Sequence, residues 1–407
     1  MKNKKKIIND PLYGFVQLPH EILFDLIEHP YFQRLRRIKQ LGMTSLVYPG
    51  ALHTRFHHAL GAMFLMQKAI ESLRNKDVEI TKEEEIGACI GILLHDIGHG
   101  PFSHTLEHAI VKNIAHESIS LAFMEELNRQ FNGQLNLAIA IFKGTYQKKF
   151  LCQLISGQLD TDRLDYLNRD SFYTGVAEGV VGADRIIHML DVVDNQLVVH
   201  EKGVYSLEKF IVARRLMYWQ VYLHKTVVAS DNVLINILKR AKELYHQGKQ
   251  ILGYKGAFHY FMQNEIDGQT LIKDKVLLDK FSELDDLDIM ASIKEWVHHE
   301  DDILRTLSKK LLNRDLPKLR ITKKELSHFE KERLELETMA KFSIPQNQVH
   351  YFLNFDSLEN SAYKTEGINI KILKKDGSIV DLITATDNEA LSQFTQTVTK
   401  YYTCAYV

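Results

Sequence analysis

Apolar side chains recur at helical spacing through most of the chain: Ile86, Ile90 and Leu93 fall at i, i+4, i+7, and Ile119, Phe123 and Leu127 repeat every four residues. The pattern predicts helix after helix from about residue 20 to 340, broken only by short punctuation such as Tyr48-Pro49-Gly50 and Gly98 to Pro101. A helix starting near Thr54 carries His58, Ala62, Leu65 and Ala69 along one face, so His58 is expected to point inward. After a charged helical stretch ending near Met339 the texture changes. QVHYFLNF and INIKIL predict strands, Lys375-Asp376-Gly377-Ser378 a turn into SIVDLI, residues Asn388 to Thr399 a helix, and YYTCAYV a final apolar segment. The expected fold class is therefore mainly α, with a helical body over residues 1–340 and a small α+β region over 341–407.

Composition narrows the class without naming a chemistry. A chain of 407 residues with 45% hydrophobic and 25% charged residues can bury a sizeable core. Its 51 Lys and Arg against 52 Asp and Glu give no global attraction to nucleic acid or to an anionic membrane. The basic start MKNKKKIIND leads into no apolar run of signal-peptide type, and no stretch is long and apolar enough to span a bilayer. Cys89, Cys152 and Cys404 are odd in number and lack CxxC spacing, so neither a disulfide framework nor a zinc knuckle is expected, and a cytoplasmic protein fits.

The chemistry concentrates in LLHDIGHGPFSHTLEH, residues 93–108, with His95, His99, His104 and His108 around Asp96. His95 and Asp96 end a helix above the break at Gly98, where an imidazole and a carboxylate can grip a metal from two directions. A lone His-Asp pair is as often a buried hydrogen bond. The inward His58 upstream and the carboxylates of LDTDRLDYLNRD, residues 159–170, add further ligands of the right kind, although a solvated charged face would account for most of Asp162, Asp165 and Asp170.

His58, His95-Asp96 and Asp162 reproduce an H…HD…D series that resembles the HD-domain metal-dependent phosphohydrolases. The flanks QRLRRIKQLG (33–42), YPGALHTRFHHALG (48–61), LLHDIGHGPFSH (93–104), HE (116–117), DTDRLDYLNRD (160–170) and YLHK (222–225) are similar to the deoxynucleoside triphosphate (dNTP) triphosphohydrolase branch over roughly residues 5–240. The vertebrate enzyme of that branch carries a SAM domain, for which this chain leaves no room.

The resemblance implies an HD-domain helical bundle with its metal site within residues 50–170. It makes His58, His95, Asp96 and Asp162 the ligands of a divalent metal, one or two ions of Mn, Mg, Fe or Zn. It gives Arg55 and His99 to the α-phosphate, makes His104 the acid that protonates the leaving 5′ oxygen with His116 beside it, and puts Glu107 where the family often has aspartate. A histidine, with a reference pKa of ~6.5, suits that proton transfer. His108 matches nothing and His57 is expected to be structural. Arg163, Arg214 and Lys225 match residues that bind the phosphate tail, and Tyr166 and Asp170 those that contact the sugar and leave a 2′-hydroxyl no space. Gln40, Leu41, Tyr222 and His224 match positions near base and sugar. Lys6, Asn9, Gln33, Arg36, Lys202 and Arg314 fall in segments that hold an activating nucleotide between subunits in some relatives, while Met189 stands where the vertebrate enzyme has an arginine.

The function so implied is hydrolysis of dNTPs at the α-phosphate to deoxynucleoside and inorganic triphosphate by a homotetramer, with dGTP preference and activation by a second nucleotide as further expectations. The alternatives are an HD-domain enzyme acting on nucleoside monophosphates or cyclic dinucleotides, and a non-catalytic regulator that binds nucleotides or nucleic acid. The basic set Arg163, Arg214 and Lys225 argues for a triphosphate.

Overall fold

The computed structural model describes residues 6–102, 110–249, 251, 256–360, 363 and 369–406. Its centre is a bundle of helices, as the hydrophobic spacing implies. Thr54 opens the helix Arg55–Arg74 with a capping box in which the backbone N–H of Thr54 donates to Nδ1 of His57. His57 is thus a structural residue. Ala62, Met66 and Ile70 are among its buried residues, and the helix packs against both Lys82–Leu94 and Thr161–Thr174. Three segments distant in sequence thereby bring His58, His95-Asp96 and Asp162 to one place.

Two glycines permit the close approach. A Cβ at Gly61 would lie 2.0 Å from an oxygen of Asp165 and 2.1 Å from a nitrogen of Arg169. At Gly98 a Cβ would lie 2.3 Å from the carbonyl oxygen of His116, so only glycine lets the chain after His95-Asp96 lie against the start of the helix His116–Gln130.

The sheets refine the sequence reading. β1 (Ile7–Asp10) and β2 (Gly14–Gln17) form an antiparallel hairpin ahead of the first helix. β3 (Leu190–Val193) and β4 (Gln196–His200) interrupt the stretch read as helical, because Asp194 and Asn195 both take positive φ, as a two-residue hairpin turn demands. β5 (Lys318–Thr322) is a second interruption.

In the C-terminal region the strand expected from residue 348 begins later, as β6 (Leu353–Asn360), after a tight turn over Gln346–Tyr351. β7 (Lys371–Leu373) and β8 (Ile379–Asp381) make the expected hairpin, with Gly377 at φ 82°. The helix expected over Asn388 to Thr399 is only a 3-10 turn, Glu389–Thr395. The chain then enters β9 (Val398–Ala405), whose alternating Tyr402 and Cys404 are buried between β5 and β6. β7 pairs parallel with β4, so strands on either side of residue 340 share both of these sheets.

Cys89, Cys152 and Cys404 are free thiols, and among the described residues no helix is long and apolar enough to cross a membrane.

Candidate metal centre and substrate cavity

His58 is fully buried between two carboxylates. Its Nδ1 is 2.7 Å from Asp165 Oδ2, and its Nε2 is 3.1 Å from Asp162 Oδ1 and 3.9 Å from Asp96 Oδ2. His95 caps its own helix through Nδ1, 2.6 Å from the Ile92 carbonyl, and turns Nε2 toward Asp96 Oδ1 at 3.3 Å and Asp162 Oδ1 at 3.5 Å. Ligand atoms of His58, His95 and Asp162 lie within 4.8 Å of one another.

These separations match the edges of a coordination shell, since ligands ~2.1 Å from an ion sit ~3.0–3.4 Å apart. Both Nε2 atoms are buried without a hydrogen-bond partner of acceptable geometry, an arrangement that a metal ion would satisfy. Asp165, which accepts from His58 Nδ1–H, would fix the tautomer that leaves Nε2 free to ligate. The donor set therefore fits a divalent cation. A second group of three, Asp96, His99 and His116, adjoins it.

Charge at the site follows from burial working against these contacts. Burial would lower the His58 imidazole, but the adjoining carboxylates of Asp162 and Asp165 raise it to about 10. His95 is likewise raised, the carboxylates of Asp96 and Asp162 outweighing burial. Burial would raise Asp162, yet its contacts with His58 and His95 hold it below the usual carboxylate range. Arg55, buried and paired with Asp96, helps push His99 well down, after burial itself, so that imidazole is neutral near pH 7. The rings of His99 and His116 stack with centroids 3.7 Å apart.

The metal end opens into a cavity of about 620 Å³. Gln40, Leu41, Arg55, Asp96, His99, His116, Asp162, Arg163, Tyr166, Asp170, Arg214 and Tyr222, all singled out from the sequence, line it. Asp160, the N-cap of the helix Thr161–Thr174, pairs with Arg163. Asp170 accepts from the Tyr222 hydroxyl at 2.7 Å and lies 2.8 Å from His53 Nε2. A wide helical turn, Tyr218–Tyr222, closed by Leu223 N donating to the Tyr218 carbonyl at 2.7 Å, puts both tyrosines on the cavity wall.

Other expected residues lie elsewhere. His224 caps the helix Lys225–His246, its Nδ1 accepting from Thr226 N, and does not line the cavity. Lys225 is exposed and lines a separate groove of about 380 Å³ with Arg314, Lys318 and Arg320. Lys6 stacks over Phe24, Asn9 is exposed on β1, Arg36 donates to Gln33 and lies over Phe56, and Lys202 is exposed. His104, Glu107 and His108 lie outside the described residues.

The sequence reading missed some partners. Asp165 and Arg169, read as part of a solvated face, are fully buried: Arg169 donates to Asp165 and to Asp10 of the N-terminal hairpin. Their spacing from Asp162, at i+3 and i+7, was the available signal. His53 and Tyr218 carried no comparable signal, nor did the cavity residues of the helix Lys225–His246 and β9.

Residues 55–153 match the family description "HD domain" and residues 181–251 match "HD associated region". The crystal structure of a phosphohydrolase from Bacteroides thetaiotaomicron is 48% identical, with a TM-score of 0.95, and covers 98% of this chain and 99% of its own. An uncharacterized protein of Bacillus subtilis, YwfO, is 31% identical over 394 residues, 93% of this chain and 87% of that one. The deoxynucleoside triphosphate triphosphohydrolase SAMHD1 homolog of Dictyostelium discoideum is 32% identical over 269 residues, 61% of this chain and 52% of its own length. The match thus spans about half of that relative.

Proposed function

The chain belongs to the HD-domain phosphohydrolase family, and on that footing we propose that it hydrolyses dNTPs at the α-phosphate, releasing the deoxynucleoside and inorganic triphosphate. The observation that carries the reading is a single cavity joining a histidine-carboxylate cluster to two arginines, Arg163 and Arg214, and to a sugar-sized wall of Tyr166, Asp170 and Tyr222. A monophosphate or cyclic dinucleotide would not need cations so placed for a triphosphate tail.

His58, His95, Asp96 and Asp162 would hold the divalent ion, which when bound supplies Lewis acidity and activates water near neutral pH. In the reaction a water oxygen bonds to the α-phosphorus, the bond from phosphorus to the 5′ oxygen breaks, and that oxygen takes a proton. Arg55 and the neutral His99 stand beside the ligands as donors to α-phosphate oxygens. We assign the proton to His104, with Glu107 and His116 positioning it. Arg163 and Arg214 neutralise the triphosphate tail, and Tyr222 and His53 hold Asp170 to accept the 3′-hydroxyl.

We assign to the Tyr166 ring, on the cavity wall, the exclusion of a 2′-hydroxyl and so of ribonucleotides. Turnover of dNTPs with little turnover of NTPs, and a dNTP-to-NTP ratio that falls about tenfold in Tyr166→Ala, is the expected result. Preference for monophosphates or cyclic dinucleotides in a parallel assay would overturn the reading. The groove of Lys225 and Arg314, together with Lys6, Asn9, Gln33, Arg36 and Lys202, is assigned to an activating nucleotide between subunits of a homotetramer.

A further inference from the structure

The segment Tyr48-Pro49-Gly50, which reads in the sequence as mere punctuation between helices, belongs to a loop that braces the sugar wall from behind. The loop leaves the body at Gln40 and returns at His53, and its base is clamped: Gln40 N donates to the His53 carbonyl, and Arg55 N to the Ile38 carbonyl, both at 3.0 Å. Gln40 and Arg55 line the cavity, so the clamp sits at its wall. The loop itself lies on the helix Thr161–Thr174. A Cβ at Gly50 would meet the Tyr173 carbonyl oxygen at 2.5 Å, and the His53 ring stacks on that of Tyr173 with centroids 4.5 Å apart. From there His53 Nε2 lies 2.8 Å from Asp170 Oδ1, while the Tyr222 hydroxyl donates to Asp170 Oδ2 at 2.7 Å. Each oxygen of this carboxylate thus has its own partner.

Tyr222 meets Asp170 because the turn Tyr218–Tyr222 is wide. The Tyr218 carbonyl accepts from Leu223 N, one residue further along than in an α-helix. Since each α-helical residue advances ~100° around the axis, closing the turn to α register would carry the Tyr222 hydroxyl away from Asp170. Widening also disturbs the carbonyls. His224 N, which an α-helix would give to the Gln220 carbonyl, donates to Val221 at 3.3 Å instead. The Tyr48 hydroxyl supplies a donor in its place, bonding the Gln220 carbonyl at 2.6 Å. Leaving such a carbonyl without a donor is costly, so this bond favours the wide register over the α register. The Tyr48 ring is half-buried and stands edge-on to His224, the cap of the next helix, with centroids 6.0 Å apart.

We propose that Tyr48 is a positioning residue for recognition of the 3′-hydroxyl: its hydroxyl holds the wide turn, the turn holds Tyr222 on Asp170, and Asp170 accepts the 3′-hydroxyl. This rests on the dNTP reading above and adds to it a residue that acts through the turn.

The test compares kcat/KM for each dNTP with that for its 2′,3′-dideoxy counterpart, which lacks only the 3′-hydroxyl, in the unaltered protein and in Tyr48→Phe. The substitution removes one oxygen and keeps the ring beside His224. The unaltered protein should favour the dNTP about tenfold or more, as for a site built to bond a group that the analogue lacks. In Tyr48→Phe the value for the dNTP should fall about fivefold, the effect of one hydrogen bond, while that for the dideoxynucleotide holds, so the ratio falls by the same factor. An equal fall on both nucleotides would make Tyr48 merely structural and overturn the proposal, as would no change on either. A ratio near one in the unaltered protein would overturn it without any variant, leaving cleavage at the α-phosphate intact. Absence of turnover on all four dNTPs would overturn the dNTP reading, and this proposal with it.

Discussion

His58 takes its orientation from Asp165, and Asp165 is held in turn by Arg169, which reaches Asp10 in the N-terminal hairpin. A histidine that ligates through Nε2 needs a partner on Nδ1, and losing such a partner costs ~10–100-fold in metal affinity. Asp165→Asn removes the charge and the firm acceptor together. It is expected to weaken metal retention by that factor, read as metal content against a graded chelator; unchanged retention would show that Asp165 does not set the ligand. At this scale the sequence was informative where a residue type is bound to its chemistry. His58, His95, Asp96 and Asp162 are recognisable as a series; in the structure His58, His95 and Asp162 form one group, with Asp96 beside it. It was less informative for residues that act through others. Nothing in ALHTRF marks His53 as the partner of a carboxylate 117 positions away, and charged residues like Asp165 and Arg169 read as surface until burial is known.

Among the elements, the loop after His95-Asp96 is pinned from a distance. Asp286, first residue of the helix Asp286–Trp296, accepts from Lys39 N at 2.9 Å and Phe102 N at 2.8 Å, and so ties down both the approach to Gln40 and the start of the segment that carries His104. Burial raises its carboxyl to about 6, against the pull of those two N–H donors. A folded value above the unfolded ~3.8 means that its contribution is full below about pH 4 and is lost as pH rises through about 6, a change of about 3 kcal/mol. The stability of the native chain minus that of Asp286→Asn should therefore fall between pH 4 and pH 7 in denaturant titrations; a flat difference would remove the buried charge from the account. Helices were legible because their apolar period is long and repeated. The short strands were not, since β3 and β5 have only 4 and 5 residues and take their identity from partners far along the chain. At the C-terminus, pairing of β9 with both β5 and β6 overrode the helical spacing read up to Thr399.

For the whole molecule, the C-terminal region is structurally part of the helical body: β9 lies between β5 and β6 and sends Tyr402 into the cavity. Activity should therefore respond to changes far from the metal ligands. The basic groove of Lys225, Arg314, Lys318 and Arg320 lies outside that cavity. If it takes an activating nucleotide between subunits, adding a second dNTP should raise the rate and the mass seen by light scattering together, and Arg314→Glu should abolish both responses. A rate independent of added nucleotide, at constant mass, would remove the regulatory site.

The central claim is cleavage at the α-phosphate of a dNTP. The direct measurement is ion-exchange chromatography of the products after incubating manganese- or magnesium-loaded protein with each dNTP, alone and in pairs. The expected products are the deoxynucleoside and inorganic triphosphate in equal amounts. Pyrophosphate with a deoxynucleoside monophosphate, or orthophosphate with a diphosphate, would contradict it.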